Sequence, residues 1–147
     1  MEAAQRGLDE ARGAVDSLAQ GEEPAFALAL HGLANQLTER YGVQVVLDVD
    51  VSVAVPPDAS HALLRIAREA AGNAARHGGA SRIGIGLTRD SQQHQLVVHD
   101  DGCGFDPAGV SGRGYGLTSM RDRARGLQGD LDLRTSVGRG TTVTVTW

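Results

Sequence analysis

Four short stretches carry the side chains that can do chemistry. In Leu63–His77, Glu69 and Asn73 stand four apart. On a helix they lie one turn above each other. Arg76 and His77 close the same stretch, ahead of Gly78-Gly79. A carboxylate, an amide, a guanidinium and an imidazole grouped this way suit a phosphate-bound hard cation. Magnesium takes oxygen ligands and needs only one or two from protein when phosphates supply others. The second stretch is Asp100-Asp101-Gly102-Cys103-Gly104. A carboxylate there can accept an N–H from the exocyclic amino group of adenine, and the glycines let backbone approach a flat ligand. The third, Gly114-Tyr115-Gly116-Leu117, stands just before a helix, where free backbone N–H groups and the helix dipole favour phosphate. No Gly-Lys-Ser/Thr follows, so it is not a P-loop. The fourth is Gly138-Arg139-Gly140-Thr141, a tight turn that places a hydroxyl near whatever Asp100 binds. Singly, these stretches also read as an amphipathic helix, an acidic turn, a glycine pair and a hairpin. Their combination and order carry the signal.

The elements that must position these residues follow from periodicity. Leu63, Ile66, Ala67, Ala70, Ala71 and Ala74 give the central helix one apolar face, and Asp58 or Ser60 is placed to cap it. Upstream, Ala4, Leu8, Ala11, Val15 and Leu18 step by four and three, a heptad seam over 1–19 that wants a partner helix. Phe26, Leu28, Leu30, Leu33, Ala34 and Leu37 predict a second helix ending near Arg40-Tyr41-Gly42. Alternation predicts a strand over Val43–Val49, extended chain over Val51–Val55, and a hairpin of Ser81–Thr88 and Gln95–His99 about Asp90–Gln93. Leu117, Met120, Ala124 and Leu127 predict a helix, followed by strands at Leu131–Thr135 and Thr141–Trp147. The outline is α+β: a two-layer sandwich, helices on one face of a mostly antiparallel sheet.

Length and composition set bounds. A chain of 147 residues suits one domain with its own core. A net charge of -4 gives no electrostatic case for nucleic acid or an anionic membrane. No run is long and apolar enough to span a bilayer. Cys103 is the single cysteine, which rules out an internal disulfide. The five histidines show no metal-ligand spacing. Lysine is absent from the sequence, so any cation for phosphate must be Arg or His.

The four stretches in this order resemble the ATPase family shared by histidine kinases, gyrase-type enzymes and the heat-shock 90 chaperones. Residues 68–81 (Arg-Glu-Ala-Ala-Gly-Asn-Ala-Ala-Arg-His-Gly-Gly-Ala-Ser), with Met120-Arg121-Asp122-Arg123-Ala124 and Gly140-Thr141, look like the catalytic ATP-binding domain of sensor histidine kinases paired with LuxR-type response regulators. The likeness spans roughly 26–147. It implies a Bergerat-type ATP-binding fold over 20–147 and, over 1–19, the tail of a dimerisation helix. It implies ATP and Mg²⁺ as ligands. Asn73 would be the metal ligand, and Glu69 the catalytic residue that orders a metal-bound water or acts as base. Arg76 and His77 would face phosphate. Asp100 would read the adenine amino group, with Gly102 and Gly104 shaping that wall and Thr141 supporting it. Gly114, Gly116 and Leu117 would stand at the phosphate end, beside a lid over Asp106–Arg113.

The partners implied are a dimerisation and phosphoacceptor segment and a LuxR-type response regulator, in a cytoplasmic homodimer. No histidine here stands in a phosphoacceptor box. His31, in Ala29-Leu30-His31-Gly32-Leu33, lacks the acidic neighbour such a box carries. The chain therefore reads as a catalytic fragment cut just after that part. Ala71-Gly72 departs from the family's bulkier apolar residues. Two rivals stand beside this reading: an anti-sigma-factor kinase of the same fold that phosphorylates serine on a protein partner, and a nucleotide-binding module without catalysis that only regulates a partner.

Overall fold

A computed structural model describes residues 23–109 and 114–147. The heptad helix expected over 1–19 lies outside the described residues. Three helices and five strands follow one another as α1 (Glu23–Tyr41), β1 (Gln44–Val49), α2 (Pro57–Arg76), β2 (Arg82–Asp90), β3 (Gln93–Asp100), α3 (Gly114–Gly126), β4 (Asp130–Thr135) and β5 (Thr141–Thr146). The strands make one sheet in the order β1-β2-β3-β5-β4. Three of its four pairings are antiparallel; β1 runs parallel to β2 at one edge. The crossover between those two is α2, as a parallel pair requires.

The helices pack on one face of the sheet. Ile83, Ile85, Leu87, Leu96, Val143 and Val145 point into that layer and are buried. The alternate positions make the opposite face: Gly84 and Gly86 on β2, Thr142, Thr144 and Thr146 on β5. A Cβ on Gly84 would displace the exposed His99 imidazole of the paired strand, which lies over the glycine. The two-layer α+β reading of the sequence holds.

Helix α2 is the middle of the core. Leu63, Ile66, Ala67 and Ala71 are fully buried. Burying Leu63 and Ile66 contributes about 1.5–3 kcal/mol each; Ile66→Asp would place an unpaired charge in the core and break it. The helix stops at His77, whose N–H donates to Asn73 O at 2.9 Å, and Gly78 N–H reaches the same carbonyl at 3.1 Å. Gly79 then turns the chain at φ 59. The start differs from expectation. Neither Asp58 nor Ser60 caps it; Pro56 holds the cap position with no side-chain bond. Two prolines explain this. Pro57 has no N–H to satisfy at the first helical position, and Ser60 N–H is taken by Pro56 O at 2.8 Å.

Two further expectations change. Leu28 is 45% exposed, because it lies about 200° around the helix from Phe26, opposite the buried stripe of Phe26, Leu30, Leu33 and Leu37. Val51–Val55 does not continue β1. Asp50 Oδ1 accepts the N–H of Ser52 at 2.9 Å and its hydroxyl at 2.6 Å, which makes a side-chain-closed turn instead. The turn leaves Val51 63% exposed and carries Val53 and Val55 into the core.

Candidate active site

One cleft collects the chemistry-bearing residues. It lies between the exposed edge of α2, the loop after β3 and the first turns of α3, and has a volume of about 380 Å³. That is within the range of small-molecule sites. Asp100 and Thr141 lie on its wall, as do Glu69, Asn73 and His77. Ala70, Ala74, Leu117, Met120, Leu133 and Val143 make the lining largely apolar.

The Asp100 end is closely tied. Asp100 ends β3 and is half-buried. Its Oδ1 accepts the Gly102 N–H at 2.8 Å, and the Thr141 N–H favours the charged carboxylate from nearby. Burial raises the Asp100 pKa above its ordinary value; the two backbone N–H groups oppose that, and the neighbouring Asp101 charge adds to it. Asp101 does another task. Its Oδ1 accepts the N–H groups of Ser81 (2.9 Å) and Arg82 (3.0 Å), and its Oδ2 accepts the Ser81 hydroxyl at 2.6 Å. Those bonds, the Ser81 hydroxyl first, lower its pKa and pin the loop to the start of β2.

The loop also docks on the β4–β5 hairpin. Gly138 N–H donates to Cys103 O at 2.7 Å, and Cys103 N–H to Gly78 O at 2.8 Å. Phe105 N–H donates to Thr135 Oγ1 at 3.1 Å. The glycines serve this packing. A Cβ on Gly102 would meet Gly78 O at 2.7 Å; one on Gly104 would strike Ser136 O; one on Gly140 would strike Asp100 O. Gly104 and Gly140 also hold positive φ, 59 and 70, which side chains resist.

The other end is looser. Glu69 and Asn73 project from α2 one turn apart, and His77 caps the helix beside them. Gly116 comes so close to Glu69 that a Cβ would lie 2.6 Å from Oε1. The N-terminal turn of α3 therefore sits against the α2 edge. Gly114 and Gly116 belong to that first turn rather than preceding it. Its N–H groups have no intrahelical acceptor, which keeps the anion-binding capacity expected of them.

Residues 58–147 match the family of histidine kinase-, DNA gyrase B- and HSP90-like ATPases. This chain belongs to that family. Among relatives of this ATPase, the nitrate/nitrite sensor protein NarX of Escherichia coli is 36% identical over 127 residues, covering 85% of this chain and 21% of NarX. The sensor histidine kinase MctS of Rhizobium johnstonii is 35% identical, covering 84% of this chain and 27% of MctS. YxjM of Bacillus subtilis, also a sensor histidine kinase, is 33% identical, covering 84% and 30%. The chain thus spans less than a third of the length of each of these relatives. A solved histidine kinase domain, from the blue-light activated histidine kinase of Erythrobacter litoralis, superposes with a TM-score of 0.65 at 21% identity. It covers 77% of this chain and 56% of its own; at that identity the likeness speaks for the fold.

Within this ATPase domain the predicted residues separate into three groups. Glu69, Asn73, His77, Asp100, Gly104, Gly116, Leu117 and Thr141 border the cleft. Gly102 stands behind Asp100, buried, and Gly114 opens α3. Arg76 is not on the cleft wall. It folds back along α2, its Nε donating to Gly72 O at 3.2 Å and Nη2 to Asn73 Oδ1 at 3.5 Å. Gly72 leaves room for that guanidinium, only 3.3 Å from where a Cβ would stand. Of the lid, Asp106–Gly109 is described and contains a short 3-10 turn at Pro107–Gly109, with Ala108 N–H bonded to Asp106 Oδ1 at 3.0 Å; 110–113 lie outside the described residues. Sequence reasoning missed Phe105, Cys103 and Leu133 as wall residues, and Thr135 behind them. Cys103 and Phe105 sit inside the Asp-x-Gly-x-Gly-x stretch and were findable there. Thr135 carries no local signal.

Proposed function

We propose that this chain is the ATP-binding catalytic domain of a two-component sensor histidine kinase. It presents the γ-phosphoryl of ATP to a histidine of a dimerisation segment, from which a LuxR-type response regulator receives it. The observation that carries this reading is the polarity of one cleft: a half-buried carboxylate, Asp100, at one end and the Glu69–Asn73 pair at the other. The sensor histidine kinases among the relatives support it. The domain acts in a cytoplasmic, homodimeric protein.

Each end has a role. Asp100 accepts a hydrogen bond from the adenine amino group, while Ala74, Met120 and Val143 take the faces of the base. Asn73, through its amide oxygen, would be the residue that holds Mg²⁺. Among the described residues no group of three His, Cys, Asp or Glu could cage a metal. An amide oxygen beside phosphate oxygens fits magnesium, which keeps several waters and few protein ligands. When bound there, the ion would supply charge neutralisation for phosphoryl transfer. Glu69, on the same helix edge, orders a water or accepts the proton of the attacking imidazole. His77 and the first turn of α3 face phosphate.

The test is calorimetry with ADP and GDP, with and without Mg²⁺, on the purified chain. Adenine should be preferred, because guanine turns a carbonyl toward Asp100. Equal affinities would sink the base-reading assignment. Labelled ATP should leave no stable phosphate on the chain alone, His31 included, but should label an added phosphoacceptor segment of a related kinase.

A further inference from the structure

Behind the cleft wall, the Thr135 hydroxyl touches three polar groups at once. Phe105 N–H lies at 3.1 Å, Gly140 O at 3.1 Å and Thr141 Oγ1 at 2.9 Å. A hydroxyl has one proton and two lone pairs. Phe105 N–H can only donate, so it takes one lone pair. Gly140 O can only accept, so it takes the proton. The remaining lone pair then takes the Thr141 proton. This is the one arrangement that satisfies all three contacts, and no buried side-chain polar atom among the described residues is left unpaired.

The consequence falls on Thr141, which borders the cleft where Thr135 does not. With its proton spent on Thr135, Thr141 Oγ1 offers the cleft only lone pairs. It stands beside Asp100, whose carboxylate also only accepts and is held by the Gly102 N–H. We infer that Thr135 is a positioning residue: it fixes Thr141 as an acceptor, so the wall selects a base edge bearing an amino group over one bearing a carbonyl. The inference rests on the nucleotide reading above and adds to it the origin of base selectivity. Sheet register makes the arrangement durable, because Thr135 and Thr141 are paired across β4 and β5.

The experiment compares ADP with IDP, whose base carries a carbonyl oxygen in place of the amino group. Calorimetry on the wild type, Thr135→Val and Thr135→Ser gives the affinity ratio, with thermal melting as a check on folding. Thr135→Val keeps the shape and frees the Thr141 proton to turn toward a carbonyl. The ADP:IDP preference should narrow by roughly three- to tenfold, the scale of one hydrogen bond. Thr135→Ser should keep the wild-type ratio. An unchanged ratio in Thr135→Val overturns the inference even if both nucleotides weaken equally, since that is what mere loosening would do. A serine variant as unselective as the valine overturns it too. A wild type that shows no preference for ADP takes the base-reading role of Asp100 down with it. A wild type that prefers ADP beside an unaltered Thr135→Val defeats the Thr135 inference alone. If Thr135→Val does not melt cooperatively, Thr141→Val decides. It leaves Thr135 bonded to Phe105 and Gly140, and an unchanged ratio there is equally fatal.

Discussion

The two ends of the cleft are built differently. At the Asp100 end, backbone and side chains from β3, β4, β5 and the α2 terminus are bonded into one unit, with contacts of 2.6–3.3 Å through Asp100, Asp101, Cys103, Phe105 and Thr135. At the Glu69 end, the side-chain bonds among the described residues are those of Arg76, at 3.2 and 3.5 Å. A purine is flat and rigid, so a wall that reads it can be complete beforehand. Phosphates and a hydrated metal bring their own geometry and change during transfer. Side chains that serve them must be able to move.

The largest effect should come from breaking the rigid end at a glycine. Gly140→Ala puts a Cβ into the Asp100 carbonyl and strains a φ of 70. Left-handed φ alone costs a residue with a side chain about 1–2 kcal/mol, and the overlap adds to that. Gly79→Ala is the control: φ is 59 there, but no atom lies within 4 Å of the new Cβ. Denaturant unfolding should show about 1 kcal/mol lost at Gly79 and at least twice that at Gly140. ADP binding should disappear only in the Gly140 variant. Equal losses would mean the hairpin and the Asp100 loop are not one unit.

Next is the separation of the two ends. Asp100→Asn keeps the shape but removes the charge from the hydrogen bond to the amino group. A charge-assisted bond is worth about 1.5–3 kcal/mol, or roughly ten- to a hundredfold in ADP affinity. The loss should be the same with Mg²⁺ and in EDTA. Asn73→Asp alters only the metal end, so its defect should vanish in EDTA. An Asn73→Asp defect that persists undiminished in EDTA would show that the assignment is wrong.

Acid should act on the rigid end in two opposed ways. Burial raises the Asp100 pKa in the folded state. Its contribution to stability is therefore complete below the ordinary value of 3.8 and lost as pH rises through the raised one. Asp101 is the reverse: its pKa is lowered, so its contribution is present above the ordinary value and lost as pH falls through the lowered one. Binding needs Asp100 ionised. As pH falls toward its raised pKa, the affinity advantage of wild type over Asp100→Asn for adenosine should shrink, while the wild type gains stability relative to that variant. Titrations from pH 7 to pH 4 check both slopes. An advantage that grows as pH falls would contradict them.

The same contrast governs what the sequence revealed. The Glu69–Asn73 edge was legible because helical spacing alone places it, and α2 has the apolar face that the spacing predicted. Asp100, Gly104 and Thr141 were legible as stretches, but the reason for the glycines was not. Gly102 and Gly140 answer to Gly78 O and Asp100 O, atoms brought close only by the tertiary fold. Thr135 was invisible for the same reason. The failed cap at Asp58 and the turn at Asp50 have a different origin. Several residues there could each close a backbone bond, and the two prolines and Ser52 decided the outcome locally.

The smallest effect tests the loose end. Arg76 lies along α2, bonded to Gly72 O and Asn73 Oδ1, and is exposed. If it serves phosphate, it must leave those contacts and swing to the cleft. An exposed ion contact contributes about 0.2–1 kcal/mol. Arg76→Gln should therefore weaken ADP by no more than roughly fivefold and leave adenosine unchanged. The defect should fade at high salt, because screening at 1 M acts over about 3 Å. An equal loss for adenosine would give the opposite lesson. Arg76 would then be holding the α2 terminus in place, and the loose end would be tied more firmly than its distances indicate.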